Sequence, residues 1–213
     1  MTLTIALTKG RTEKQVLPLL EAAGIDCTAV RNKGRRLIFN DQDDVHFILV
    51  KGVDVLTYLN QGAVDIGIVG SDILAEQRSA QYDMLDLQTG KCRFVLASTP
   101  DFNPRLTRRK IIATKYPQVT QDYFSSIGED VEIIKIEGSV ELAPLVGLAD
   151  AIVDIVETGT TLAENNLQVY ANLTPVSTQL VVNQLALKKK RPEMQALMTR
   201  LQTAIETKQQ NQA

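Results

Sequence analysis

Tryptophan is absent from the 213 residues, histidine occurs once and cysteine twice. His46, Cys27 and Cys92 are too few and too scattered to form the His/Cys cluster that holds zinc. Any metal is therefore expected to be a hard ion such as Mg²⁺, taken by carboxylates together with substrate phosphates. The cysteines lie far apart in apolar, strand-like surroundings, which predicts buried thiols and no disulfide. His46 falls inside the apolar run of residues 45–50, where a structural or surface role is expected. Excess charge of either sign is also lacking: 23 Lys and Arg against 25 Asp and Glu leave a formal charge of −2. No basic field spreads over the chain to hold DNA or RNA. No apolar run approaches the roughly 20 residues that cross a bilayer, and no basic segment followed by a long apolar core opens the chain. The expectation is a cytoplasmic protein with neither nucleic-acid nor membrane partners.

Apolar residues make up 44% of the sequence, enough for one large domain or two small α/β lobes. The most informative stretch is Ala151-Ile-Val-Asp-Ile-Val-Glu-Thr-Gly-Thr-Thr-Leu162. Residues 151–156 are apolar and β-branched except for Asp154, as expected of a strand covered on both faces. The Gly/Thr run after it joins a glycine that tolerates φ > 0 to three hydroxyls and the unpaired N–H groups of a helix start, a combination suited to phosphate. Asp154 and Glu157 place acceptors beside that loop. Phosphate donors and ribose-type acceptors together suit a sugar phosphate, although such loops also occur as plain tight turns with a capped helix.

Along the chain, strands are predicted at 3–7, 25–30, 37–39, 45–50, 64–69, 91–97, 111–114, 131–136, 151–156 and 176–182. A capping box at Thr12-Glu-Lys-Gln15 would open the first helix, which Gly24 closes; Pro18 removes one intrahelical hydrogen bond if the helix starts at Thr12 and none if it starts nearer Gln15. Asp54 is expected to cap a second helix ended by Gly62, and further helices are predicted at 119–126 and at 139–148, the latter capped by Ser139. An acidic turn spans Asp41-Gln-Asp-Asp44. Pro192 fits the first position of a final helix with Met194, Leu197, Met198, Leu201 and Ile205 on one face. Lys188-Lys-Lys-Arg191 is expected to be a solvated approach to that helix, and residues 209–213 a frayed end.

Strands and helices alternating through both halves give an α/β fold of two lobes with mixed, largely parallel sheets. Lobe I comprises 1–92 with 178–213, and lobe II comprises 93–177. Such sheets bind ligands at the carboxyl ends of their strands. Lys9-Gly10-Arg11, Gly70-Ser71-Asp72 and residues 157–162 all fall there.

Six stretches, in order and at similar spacing, resemble the ATP phosphoribosyltransferase family: Ala6-Leu-Thr-Lys-Gly-Arg11, Val64-Asp-Ile-Gly-Ile-Val-Gly70, Leu87-Gln-Thr-Gly-Lys-Cys-Arg93, Ala113-Thr-Lys-Tyr-Pro117, Gly138-Ser-Val-Glu-Leu-Ala-Pro144 and Asp154-Ile-Val-Glu-Thr-Gly-Thr-Thr-Leu162. The resemblance implies lobes like those of a type II periplasmic binding protein, with the active site in the cleft. The implied reaction moves a phosphoribosyl group from phosphoribosyl pyrophosphate to N1 of ATP, with Mg²⁺, as the first step of histidine biosynthesis. It also implies that Thr158, Gly159, Thr160, Thr161 and Leu162 hold the 5-phosphate, with Asp154 and Glu157 near the ribose or its metal. Lys9, Arg11, Arg35 and Lys51 are the candidate cations for the leaving pyrophosphate. Gly10, Gly70, Ser71, Asp72, Lys91, Ser139 and Glu141 are candidates for ATP. With no sequence left for an appended regulatory domain, the chain resembles the short form. Its members assemble, through catalytic-subunit dimers, with a regulatory subunit similar to histidyl-tRNA synthetase.

Two positions depart from the family pattern. Thr8 stands where proline is common, and Lys51-Gly-Val-Asp54 stands where an Arg-x-Lys-Asp run is common; lysine lacks the bidentate guanidinium fork. Two rival readings fit less well. A non-catalytic sensor or solute-binding protein would carry a signal peptide or a DNA-binding domain. An orthodox phosphoribosyltransferase acting on a free base would place two adjacent acidic residues before its loop, whereas Asp154 and Glu157 are separated by two residues.

Overall fold

The structure, a computed structural model, describes residues 2–40, 45–78, 82–105 and 107–210. It divides into two compact units: unit 1 comprises Met1–Leu74, Arg78–Gly90 and Ser177–Ala213, and unit 2 comprises Ala75–Gln77 and Lys91–Val176.

In unit 1 the chain forms β1 (Leu3–Thr8), α1 (Arg11–Ala22), α2 (Thr28–Arg31), β2 (Ile38–Phe39), β3 (Val45–Val50), α3 (Gly52–Asn60), β4 (Ile66–Gly70), α4 (Ser71–Gln77) and β5 (Tyr82–Asp86). Unit 2 follows with β6 (Cys92–Ser98), β7 (Lys110–Thr114), α5 (Pro117–Ser126), β8 (Val131–Lys135), α6 (Leu142–Leu145), β9 (Ala151–Val156), α7 (Thr160–Glu164) and β10 (Gln168–Val176). The chain then returns to unit 1 as β11 (Thr178–Val182), α8 (Gln184–Lys189) and α9 (Arg191–Gln210).

The sheet of unit 1 has the order β2-β3-β1-β4-β11-β5. β3, β1 and β4 run parallel, whereas β2, β11 and β5 pair antiparallel with their neighbours. Alternate side chains explain why its strands are apolar throughout. Ile5, Leu7, Ile68 and Leu180 pack with Leu20 of α1 and Leu197 and Leu201 of α9, while Ala6, Val69 and Val181 pack with Val55, Leu56 and Leu59 of α3. Each fully buried leucine contributes about 2 kcal/mol, so the face of α9 is what fastens the end of the chain to this sheet. Met198 lies at the margin of that face, partly buried against the same core.

The sheet of unit 2 has the order β10-β6-β9-β7-β8, parallel at β8-β7-β9 and antiparallel at β9-β6-β10. Phe94, Ile112 and Val153 pack toward Val119 and Phe124 of α5; Val95, Ala113 and Ile152 pack on the other face with Ala143 of α6 and Leu162 of α7. In both units the parallel strands align their carboxyl ends, and mixed pairing is confined to the flanks.

Several expected elements differ. Residues 25–30 are not a strand: the Asp26 carboxylate accepts the Thr28 N–H at 2.8 Å and starts the single turn of α2, where the Arg31 N–H reaches the Cys27 carbonyl at 2.9 Å. Cys27 is therefore a buried thiol in a turn, and burial pushes it up to about 12. The first helix is capped two residues earlier than Thr12, by Gly10 with Glu13 reaching back, and Pro18 sits inside it. Asp54 lies in the first turn of α3 and Lys51 is its N-cap.

The helix expected at 139–148 shrinks to Leu142–Leu145 behind Glu141, because Pro144 offers no N–H and Gly147 turns away at φ +72°. The run at 176–182 breaks at Ser177. The preceding residues form β10, an edge strand whose mostly exposed side chains hid it from an apolar pattern. The basic run enters α8, whose cap is the Asn183 side chain accepting the Leu185 and Ala186 N–H groups. α9 continues through Gln210, and Arg191 precedes Pro192 in it. The acidic turn at Asp41–Asp44 and residues 211–213 lie outside the described residues.

Candidate active site

The loop after β9 begins at the exposed Glu157 and passes through Gly159 at φ +84°, ψ 0° into α7. This left-handed conformation is available to glycine at little cost and costs other residues about 1–2 kcal/mol. A Cβ added there would meet only Val156 Cγ1, at 3.8 Å, so the space beside the loop is open. The Thr158 and Thr160 hydroxyls are 3.0 Å apart, and Thr158, Thr160 and Thr161 are all exposed. Leu162 differs from its neighbours: its side chain is buried in the core of unit 2, so only its backbone remains for the loop.

Asp154 projects from β9 just before this loop. Burial pushes its carboxyl up to about 6, opposed by the Ile155 N–H; the negative charge of Glu141 adds to the rise and Lys115 works against it. Glu141 and Asp154 are thus electrostatic neighbours although 13 residues separate them in sequence. A divalent cation would relieve both. Among the described residues no group of three His, Cys, Asp or Glu side chains forms a metal cage. Asp154 and Glu157 completed by substrate phosphates would suit Mg²⁺, which rarely occupies an all-protein cage. Ser139, exposed, stands in the turn leading to Glu141, and Lys91, also exposed, is the first residue of the long segment of unit 2.

In unit 1, the parallel pairing of β1 with β3 and β4 aligns the ends of three strands. The Lys9 N–H donates to the Val50 carbonyl at 2.9 Å, which sets Lys9 beside Lys51, the residue after β3. Lys9, Gly10, Arg11, Arg35 and Lys51 are all exposed. The two departures from the family pattern face each other. The Thr8 hydroxyl donates to the Ile68 carbonyl at 2.8 Å, and its methyl carbon lies 3.3 Å from where a Cβ on Gly52 would stand.

At the end of β4, a Cβ on Gly70 would lie 2.0 Å from Asp72 Oδ1, so a larger residue there would turn the Asp72 carboxylate aside, while the backbone at φ −69° suits any residue. Ser71 is tied to the returning chain: its N–H donates to the Ser177 carbonyl at 2.9 Å, and its hydroxyl accepts the Ser177 N–H at 3.2 Å.

Two residues were not singled out by the sequence. Lys115, at the carboxyl end of β7, reaches Asp154 electrostatically; its place within Ala113-Thr-Lys-Tyr-Pro117 was the available signal. Glu13, only 4% exposed, accepts the Gly10 N–H at 3.3 Å and pairs with Lys33. Its signal was a glutamate three residues after a glycine in the turn that follows a strand, which is the capping spacing once Gly10 is taken as the cap.

Residues 51–203 match the family model described as HisG: ATP phosphoribosyltransferase. The chain is 72% identical to the ATP phosphoribosyltransferase of Lacticaseibacillus casei over 95% of its length and 96% of that protein. It is 56% identical to the enzyme of the same name from Listeria innocua, over 97% and 98% of the two chains. Among solved structures, a chain of the ATP phosphoribosyl transferase (HisG:HisZ) complex from Thermotoga maritima superposes with a TM-score of 0.81 at 36% identity, covering 97% of this chain and all of that one. The periplasmic aliphatic sulphonate binding protein SsuA of Escherichia coli superposes with a TM-score of 0.63 at 14% identity, covering 99% of this chain and 75% of its own, a likeness of fold alone. Identity of this extent over nearly the whole length shows that the chain belongs to the ATP phosphoribosyltransferase family.

Proposed function

We propose that the chain transfers the phosphoribosyl group of phosphoribosyl pyrophosphate to N1 of ATP, releasing pyrophosphate in the first step of histidine biosynthesis. The observation that carries this reading is the 72% identity, over 95% of the chain, to a protein named for that activity.

The chain's own residues suit the chemistry. The 158–161 loop, with its open glycine and three exposed hydroxyls, takes the 5-phosphate, and Asp154 accepts from the ribose. As the bond from C1 of the ribose to pyrophosphate breaks, the adenine N1 lone pair forms the new bond, so no strong base is required. Positioning can then account for roughly 7–11 kcal/mol of the barrier. Lys9, Arg11, Arg35 and Lys51 meet the charge that accumulates on pyrophosphate, each well-placed donor contributing on the order of 3 kcal/mol. Asp154 and Glu157 would hold Mg²⁺ together with substrate phosphates, and the ion would supply further neutralisation of that charge. Gly10, Gly70, Asp72, Ser139, Glu141 and Lys91 remain the candidates for ATP; Ser71, tied to Ser177, keeps its hydroxyl proton and one lone pair for such a role. The Thermotoga maritima complex supports assembly with a separate regulatory subunit in a hetero-oligomer; within it this chain would pair as catalytic-subunit dimers.

The test is the atom attacked. Incubated with phosphoribosyl pyrophosphate, Mg²⁺ and pyrophosphatase, 7-deaza-ATP should gain one phosphoribosyl unit by mass spectrometry. With 1-deaza-ATP, in which carbon replaces N1, none should be gained. Equal reaction of both would overturn the assignment.

A further inference from the structure

We infer that Glu13 is a positioning residue that fixes two pyrophosphate-facing cationic loops of unit 1 at once; the inference rests on the reading of Arg11 and Arg35 given above. Glu13 projects from the first turn of α1 and is buried. Its carboxylate binds in two directions. Toward β1 it accepts the Gly10 N–H at 3.3 Å, and Gly10 is held at φ +94°, ψ −126°, a conformation essentially reserved for glycine. This contact, with the Lys9 N–H on the Val50 carbonyl, pins the backbone on both sides of the Lys9–Gly10 peptide and sets the direction in which Arg11 leaves.

Toward the basic loop the same carboxylate pairs with the Lys33 ammonium, 20 residues along the chain. Lys33 opens a turn closed by the Arg36 N–H on the Lys33 carbonyl at 2.9 Å, with Gly34 at φ +55° inside it. Arg36, also exposed, lies over the Phe39 ring at 5.1 Å, and exposed Arg35 stands beside it in the same turn. A capping glutamate needs no cationic partner, and a surface ion pair needs no burial. A buried carboxylate shared between a strained glycine and the base of a second cationic loop has the geometry of a brace.

A brace acts through what it holds, and this separates it from a residue that merely stabilises the fold. Glu13→Gln keeps the shape and an acceptor for the Gly10 N–H but removes the charge that holds Lys33. Displacing reactive groups by about 1 Å can lower turnover on the order of 100-fold, so kcat should fall roughly 10- to 100-fold. The KM for ATP should change less than about threefold.

The deciding measurement is a double-mutant cycle in single-turnover assays with Arg35→Ala. If Glu13 acts by placing Arg35, adding Glu13→Gln to Arg35→Ala should cost at least threefold less than it costs in the wild type. Full multiplicativity of the two losses, or a kcat loss that disappears when the variants are compared at equal distance below their melting temperatures, would overturn the inference. Failure of the reading beneath it has a different appearance: Arg11→Ala and Arg35→Ala would then retain wild-type turnover, whatever Glu13→Gln does.

Discussion

Asp154 should cost the unliganded protein stability, and replacing it should strengthen the fold while weakening ligand binding. The carboxyl titrates near 3.8 when unfolded and at about 6 when folded, chiefly because it is buried. Below pH 3.8 it is neutral in both states and contributes nothing. Between pH 3.8 and 6 the unfolded chain gives up the proton first, so the folded state binds more protons and stability falls as pH rises. Above pH 6 the full penalty is present. Two pH units correspond to up to about 3 kcal/mol, which for a chain of this size is about 6–12 °C in melting temperature. Asp154→Asn carries no ionisable group. In thermal unfolding without ligand, the variant should therefore melt higher than wild type at pH 7.5, and the gap should close as pH is lowered toward 4. Calorimetry at pH 7.5 should show its affinity for Mg²⁺ with phosphoribosyl pyrophosphate reduced at least tenfold. A variant less stable than wild type at pH 7.5, or a difference unchanged by pH, would refute the reasoning.

Three further outcomes are expected. Gly159→Val should weaken phosphoribosyl pyrophosphate binding more than tenfold, since leaving φ +84° turns loop N–H groups away from a phosphate and each charged hydrogen bond is worth about 1.5–3 kcal/mol; unchanged affinity in calorimetry would remove the loop from the site. Arg11→Ala should lower kcat by about 100-fold or more with little change in melting temperature, and the reverse pattern would make Arg11 structural. Lys190→Met deprives the Asp65 carboxylate and the Thr2 carbonyl of an ammonium 2.7 and 2.8 Å away. It should cost about 2 kcal/mol, read as a fall of about 4–8 °C in melting temperature with turnover unchanged; an unaltered melting temperature would contradict it.

The buried parallel strands were legible because both of their faces are covered. Residues 151–156 and 45–50 read as strands from their apolar content, and they are β9 and β3. Elements governed by one local contact were not legible. Ile25, Cys27 and Val30 are all buried, as a strand would predict, yet the Asp26 side chain turns the chain into α2. β10 pairs along one side of β6 at the sheet edge, so its sequence needs no apolar alternation. The same division holds at the site. Gly159 and its threonines announce a turn in any context, whereas the coupling of Glu141 to Asp154, and of Glu13 to Lys33, depends on which strand ends and loops the fold brings together.

The measurement that bears most directly on the account is absorbance near the adenine band after mixing the purified chain with ATP, phosphoribosyl pyrophosphate and Mg²⁺, with pyrophosphatase drawing the reaction forward. A rise that needs all three components, and that Asp154→Asn and Gly159→Val abolish, is the predicted result. A rise that persists without phosphoribosyl pyrophosphate, or that both variants retain in full, would contradict it.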